Sequence, residues 1–372
     1  MDDPAPAYAN MPSPEFHDQE LRFARAFEII NRAISERAFP AASLAVTHRE
    51  KLVVWKAFGR FTYDPESTVV SPTTIFEIAS VTKVVATTAM AMILYERGLL
   101  DLELPVASVL PEFAVMGNRH KREVSVRMLL AHSSGLPAYV RLFRHAETRD
   151  KLIGLALTTD LESAPMSRAE YSDIGFIVLG ELLCRVADER LDAFCQREIF
   201  GPLALSSTCF RPPKDWRRQI PPTVDDQHYR GRVIQGEVHD ENAAVMDGVS
   251  GHAGLFSSAY DLSVFAHSML SGGHPILRSD TVALFTRREQ EPHGTSRALG
   301  WDTPSHPSSS GKHFSPHSFG HLGYTGTSVW CDPDRELSVT FLTNRVWPDC
   351  SSQAIKQVRP AVHDAIVESL DQ

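Results

Sequence analysis

Apolar residues at Leu21, Ala24, Phe27, Ile30 and Ile34 recur at the spacing of one helix face, and Pro40 closes that pattern. Two β-rich runs follow, Ala42–Thr47 and Leu52–Gly59, joined by the polar turn His48-Arg49-Glu50. From Ser80 a long apolar helical run extends to about Arg97, where Gly98 stops it. Residues 118–270 show short helical patterns broken by Gly and Pro, with few strand signals. A Ser/His/Pro/Gly-rich stretch, 303–320, reads as a loop. It leads to two more strands, Ser328–Cys331 and Leu337–Thr343, around the turn Asp332-Pro333-Asp334. A final helix carries Ile355, Val358, Val362 and Ile366.

Strands near both chain ends with helices between predict an α/β (α+β) fold. One antiparallel sheet is built from both termini, flanked by helices, with a mostly helical insertion in the middle. The predicted division is a flexible Pro/Ala-rich segment at 1–16, a sheet domain at 17–70 and 275–372, and a helical domain at 71–274. The cleft between sheet and insertion is the natural place for a site. The chain shows no internal repeat.

Composition narrows the function classes. With 372 residues, 43% hydrophobic and 22% charged, the chain can bury a large core. Its 37 basic and 46 acidic side chains leave a net charge of −9, with no dense Lys/Arg run. Nucleic-acid and anionic-membrane roles are disfavoured. No run of about 18 apolar residues predicts a membrane span. The five cysteines include no C-x-x-C pair, which argues against a disulfide framework or zinc site. Met1-Asp2-Asp3-Pro4 is not a basic-then-apolar leader, so the expectation is cytoplasmic, although a removed leader would look the same. Oligomeric state is left open.

Among chemical motifs, G-x-S-x-G, G-x-x-x-x-G-K-[ST], G-x-G-x-x-G and H-E-x-x-H are all absent. His313, His317 and His321 are spaced by four, but Pro316 and the Gly/Ser-rich context speak against a helix presenting them to a metal. Ser-x-x-Lys occurs twice, as Ser80-Val81-Thr82-Lys83 and Ser309-Ser310-Gly311-Lys312. Only the first opens an apolar helix, where residues three apart share a face and Lys83 can reach Ser80. The helix N-terminus favours an alkoxide there. A plain N-cap serine is the competing reading. Tyr171-Ser172-Asp173 offers a phenol beside the lysine, or simply a helix cap. His321-Leu322-Gly323-Tyr324-Thr325-Gly326-Thr327 is a glycine-rich approach to a strand, able to present backbone N–H donors to a ligand.

In order, Ser-x-x-Lys, Tyr-x-Asp and x-x-Gly before a late strand resemble the serine β-lactamase and penicillin-binding-protein superfamily. The tyrosine version resembles its class C β-lactamases and the related family VIII carboxylesterases. Supporting matches run through Phe76–Lys83, Leu129–Pro137 and Gly251–Ser257. The resemblance implies a β-lactamase/transpeptidase-like fold, Ser80 as nucleophile, Lys83 and Tyr171 as base and proton relay, and no cofactor. It implies an oxyanion hole from the backbone N–H groups of Ser80 and Tyr324, or of Thr327 if Tyr324-Thr325-Gly326 is the true third motif. His321 stands where lysine is usual and Leu322 where threonine is usual, so His321 and Gly323 join Asp173 as substrate-binding or support residues. Loss of that cation favours uncharged acyl esters over substrates with a carboxylate. If Asp173 contacts Lys83 it should keep the lysine protonated and leave Tyr171 as the base. The expected function is a carboxylesterase working on short acyl esters through an acyl-enzyme. A D-amino-acid peptidase, amidase or weak β-lactamase is the alternative, and a non-catalytic sensor or scaffold the alternative of another class.

Overall fold

The computed structural model describes residues 11–115 and 119–372. In chain order its strands are β1 (Ser13–Pro14), β2 (Ala41–His48), β3 (Lys51–Gly59), β4 (Ile75–Glu77), β5 (Cys209–Phe210), β6 (Val224–Asp226), β7 (Arg232–Ile234), β8 (Leu255–Ser258), β9 (Phe319–Leu322), β10 (Ser328–Asp332) and β11 (Leu337–Thr343). The main sheet runs β1-β3-β2-β11-β10-β9, so both ends of the chain build it. Helices Ala24–Ser35 and Ile355–Leu370 cover one face and helix Ala259–Leu270 the other. Covered on both faces, β2 and β11 are buried almost throughout, which is why they read as continuous apolar runs rather than alternating ones.

Three sequence expectations change. The main sheet is mixed, because β1 pairs in parallel with β3. Of the expected flexible segment 1–16, residues 1–10 lie outside the described residues. The rest is tied down: Ser13 and Glu15 donate to the Glu50 and Leu52 carbonyls, and the Phe16 ring packs edge-on against Trp55. Pro14 fits because an edge strand leaves one of its N–H positions facing away from the ladder. The run from Ser80 is not one α-helix. It is a 3-10 turn (Ala79–Val81), a π-helical segment (Lys83–Thr88) and an α-helix (Ala89–Glu96), a widening that recurs at functional sites.

The central segment is mostly helical, with the small sheet β4-β8-β5 and the hairpin β6–β7. These strands are two to four residues long, too short for an alternating pattern to show. Helix Asp173–Ala187 packs directly on the loop before β8. A Cβ on Gly251 would lie 2.1 Å from the Phe176 carbonyl oxygen, and one on Gly180 2.9 Å from the Gly251 Cα. Gly251→Ala is therefore expected to destabilise the protein by about 1–3 kcal/mol. Gly154→Ala, in helix Arg149–Thr158 with open space around it, should be neutral or stabilising by up to about 1 kcal/mol. Urea titration of both variants checks this, and equal midpoints would contradict the close approach at Gly251.

Candidate active site

β4 delivers the chain to Ala79, which sits in the left-handed region at φ 47°, a costly conformation for a residue with a Cβ. The Thr82 hydroxyl fixes this kink by donating to the Ala79 carbonyl (2.6 Å) and accepting from the Leu255 N–H (3.1 Å). The turn lifts Ser80 out of β4. Its hydroxyl caps no helix; Oγ accepts from Lys83 Nζ at 3.0 Å and from the Tyr171 hydroxyl at 2.8 Å.

Lys83 is fully buried. Besides Ser80, its Nζ faces the Asp173 carboxylate at 2.7 Å and the His252 carbonyl at 2.9 Å. Those two oxygens can only accept, so they consume two N–H groups and aim the third tetrahedral position at Ser80. In the ammonium that position holds a proton, and in the amine it holds a lone pair able to take the serine proton. Both anchors are themselves fixed. Ser172 caps helix Asp173–Ala187 through the Gly175 N–H, so the capping reading of Tyr171-Ser172-Asp173 holds for its middle residue and leaves its neighbours free. His252 is held by Ser250 at Nδ1 (2.8 Å) and by Asp240 at Nε2 (2.7 Å). Burial raises the Asp240 pKa, but His252 and the Ala243 N–H bring it down to about 2.

The electrostatics differ from the sequence expectation. Asp173 does raise the Lys83 pKa, yet burial outweighs it and the net shift is downward. Burial first, then the Asp173 charge, push Tyr171 well above the usual phenol range. Both shifts oppose a tyrosinate beside a lysine ammonium and favour an amine beside a protonated phenol.

Two neutral histidines flank Tyr171, with ring centroids 4.8 Å (His132) and 6.1 Å (His321) away. Burial, then the charges of Lys83 and Arg297, bring His321 down to about 3. His321 Nδ1 is bonded to its neighbour's carbonyl, so the proton sits there and Nε2 carries a lone pair; among the described residues that nitrogen has no partner. The third motif thus presents a buried acceptor where the resemblance expected a cation. A cation is nonetheless near: the Arg297 guanidinium lies 5.6 Å from the Tyr171 ring centroid, beyond the reach of any sequence signal in its loop.

The turn 323–327 is stapled to the residues before Ser80. The Thr325 and Thr327 hydroxyls donate to the Glu77 and Ile78 carbonyls at 2.8 and 3.0 Å. A Cβ at position 323 would sit 2.5 Å from the Ile78 carbonyl oxygen, so only glycine allows this approach. Among the described residues neither the Ser80 nor the Tyr324 backbone N–H has an internal acceptor. Tyr324 is 50% exposed, whereas Thr327 is fully buried behind the turn. Two buried arginines, without carboxylate partners among the described residues, hold the turn from behind, Arg345 at the Tyr324 carbonyl (2.8 Å) and Arg359 at the Thr327 carbonyl (3.3 Å).

Other sequence candidates lie elsewhere. Lys312, from the second Ser-x-x-Lys, is anchored by its N–H to Asp364. His313 and His317 face Glu368 and Asp334, apart from His321. Among the described residues no cluster could hold a metal, and no helix is long and apolar enough to cross a membrane.

The model of the Beta-lactamase family matches residues 25–360, and the chain belongs to that family. It is 31% identical over 378 residues to an N-acetylmuramyl-L-alanine amidase of Bacillus subtilis (strain 168), covering 91% of this chain and 84% of that protein. It is 30% identical over 355 residues to a putative D-alanyl-D-alanine carboxypeptidase of Escherichia coli (strain K12), covering 85% and 81%. The fold matches EstCE1, described as a hydrolase with promiscuous acyltransferase activity, with TM-score 0.76 at 22% identity over 93% of this chain and 99% of that one. It also matches a penicillin-binding protein homologue from Caulobacter crescentus, with TM-score 0.76 at 18% identity over 94% and 98%. The protein is a hydrolase of the serine β-lactamase and penicillin-binding-protein superfamily.

Asp173→Asn removes the negative charge nearest Lys83 and is expected to lower the lysine pKa further. The 15N titration of the Lys83 side chain reads this directly. An unchanged midpoint would mean that Asp173 serves only as a hydrogen-bond acceptor.

Proposed function

We propose that the protein cleaves short, uncharged acyl esters through an acyl-enzyme on Ser80. The observation that carries this reading is the convergence of Lys83 Nζ and the Tyr171 hydroxyl on one serine oxygen, beside a third motif that offers no cation. Lys83 as the amine takes the Ser80 proton while Oγ attacks the ester carbonyl. The oxyanion that forms is met by the Ser80 and Tyr324 N–H groups. As the ester bond breaks, the alkoxide takes a proton from Tyr171, and the Lys83 ammonium restores it. Water then hydrolyses the acyl-enzyme by the reverse sequence. Buried and neutral, His321 supplies no cation to a substrate carboxylate.

One observation favours a second reading. Arg297 beside Tyr171 is a cation that could meet a substrate carboxylate, as an amidase or carboxypeptidase acting on D-amino-acid peptides would need. The named activities of the amidase and carboxypeptidase relatives agree with that reading, and that of EstCE1 with the first.

The test is kcat/KM for a p-nitrophenyl butyrate ester and for a peptide ending in D-Ala-D-Ala, in wild type and Arg297→Gln. The ester should be the better substrate and should keep its turnover in the variant. One charge-assisted hydrogen bond to a carboxylate is worth about 1.5–3 kcal/mol, or roughly ten- to a hundredfold. A wild type that prefers the peptide, and loses that much of it in Arg297→Gln, would establish the peptidase reading instead.

A further inference from the structure

A cavity of about 810 Å³ opens beside the β6–β7 hairpin, within the range that small-molecule sites occupy. Ser80, Lys83 and Tyr171 are not in its walls. Val238, Val245 and Phe256 give its walls an apolar part. Its rim is cationic, with Arg211, Lys214, Arg217, Arg230 and Arg232, on a chain whose net charge is −9.

Three of these cations are already neutralised. Arg211 pairs with Asp192, Arg230 with Asp226, and Arg232 with Glu237 through two bonds of 2.9 and 2.7 Å. Among the described residues Lys214 and Arg217 have no ion-pair partner, and the remaining acid in the wall is Asp247. Two free cations against one free carboxylate leave a surplus of one positive charge. The Arg217 stem runs past Gly236, where a Cβ would be in ordinary contact with its Cγ at 3.6 Å, and the Arg211 stem runs past Gly248 at 3.3 Å. Arginine stems laid on apolar surface with their heads at the opening suit a ligand that is apolar at one end and anionic at the other.

We propose that this cavity binds an amphipathic monoanion, an apolar chain or ring carrying one carboxylate-type head, at a site separate from Ser80. The head meets Lys214 and Arg217, and the body lies over Val245 and Phe256. Arg230 is fixed in the cavity wall, because its guanidinium also donates to the Val238 and His239 carbonyls at 2.7 and 2.6 Å.

The experiment is calorimetric titration of decanoate into protein whose Ser80 has been blocked with a fluorophosphonate, so that binding at the catalytic serine does not contribute. Decanol and acetate serve as controls for the head and the body. Decanoate should bind, and the two controls should bind at least about tenfold more weakly. The Lys214→Glu/Arg217→Glu double variant should lose at least tenfold in decanoate affinity while keeping its ester turnover before blocking. Val245→Trp, which fills the cavity and leaves every charge in place, should lose a similar amount. Absence of decanoate binding, equal binding of decanol, or unchanged affinity in both variants would overturn the proposal. None of these results bears on ester cleavage at Ser80, so the two readings fail independently.

Discussion

A primary amine held without solvent contact is the constraint from which the site follows. Removing a charged lysine from water costs several kcal/mol unless its protons are matched by acceptors. Lys83 has three acceptors within 3.0 Å, and only one of them is a full charge. That balance explains why its pKa moves down while the side chain stays in place: Asp173 compensates part of the burial penalty and not all of it. A lysine poised this way can exchange a proton with Ser80 without moving.

Each of those acceptors depends on a distinct part of the fold. Asp173 is presented by the capped start of a buried helix, and the His252 carbonyl by a loop pressed against that same helix at Gly180 and Gly251. Ser80 is presented by the strained Ala79 kink at the end of β4. The turn 323–327 follows β9 at the edge of the main sheet and is stapled to Glu77 and Ile78. The cleft between sheet and helical segment is therefore where the two parts of the chain are joined by hydrogen bonds beside Ser80. Arg345 and Arg359, which have no carboxylate partner among the described residues, add a positive potential behind the turn.

Much of this was legible in the sequence, for physical reasons that differ from element to element. Strands β2, β3, β10 and β11 announce themselves because they are long and apolar. The short strands β4 to β8 do not, because two to four residues carry no period. Ser80, Lys83 and Tyr171 stood out through spacing and order, and the structure gathers them. Arg297 carried no signal, since it enters from a polar loop and its role depends on distance alone. The proton balance between Lys83 and Tyr171 was misjudged because the neighbour, Asp173, is visible in sequence while the degree of burial is not. His321 was read as supplying no fixed cation, but its burial, which brings the imidazole pKa down to about 3, carries no sequence signal.

The central claim is that Ser80, Lys83 and Tyr171 act as one proton-transfer unit. A double-mutant cycle on the second-order rate of Ser80 acylation by a fluorophosphonate tests it most directly. Lys83→Ala and Tyr171→Phe should each lower that rate by at least about 10²-fold, the scale for losing a proton-transfer group. The double variant should then be little slower than either single one, because groups that act as a unit are not additive. Multiplicative losses in the double variant, or a near-normal rate in Tyr171→Phe, would contradict the account.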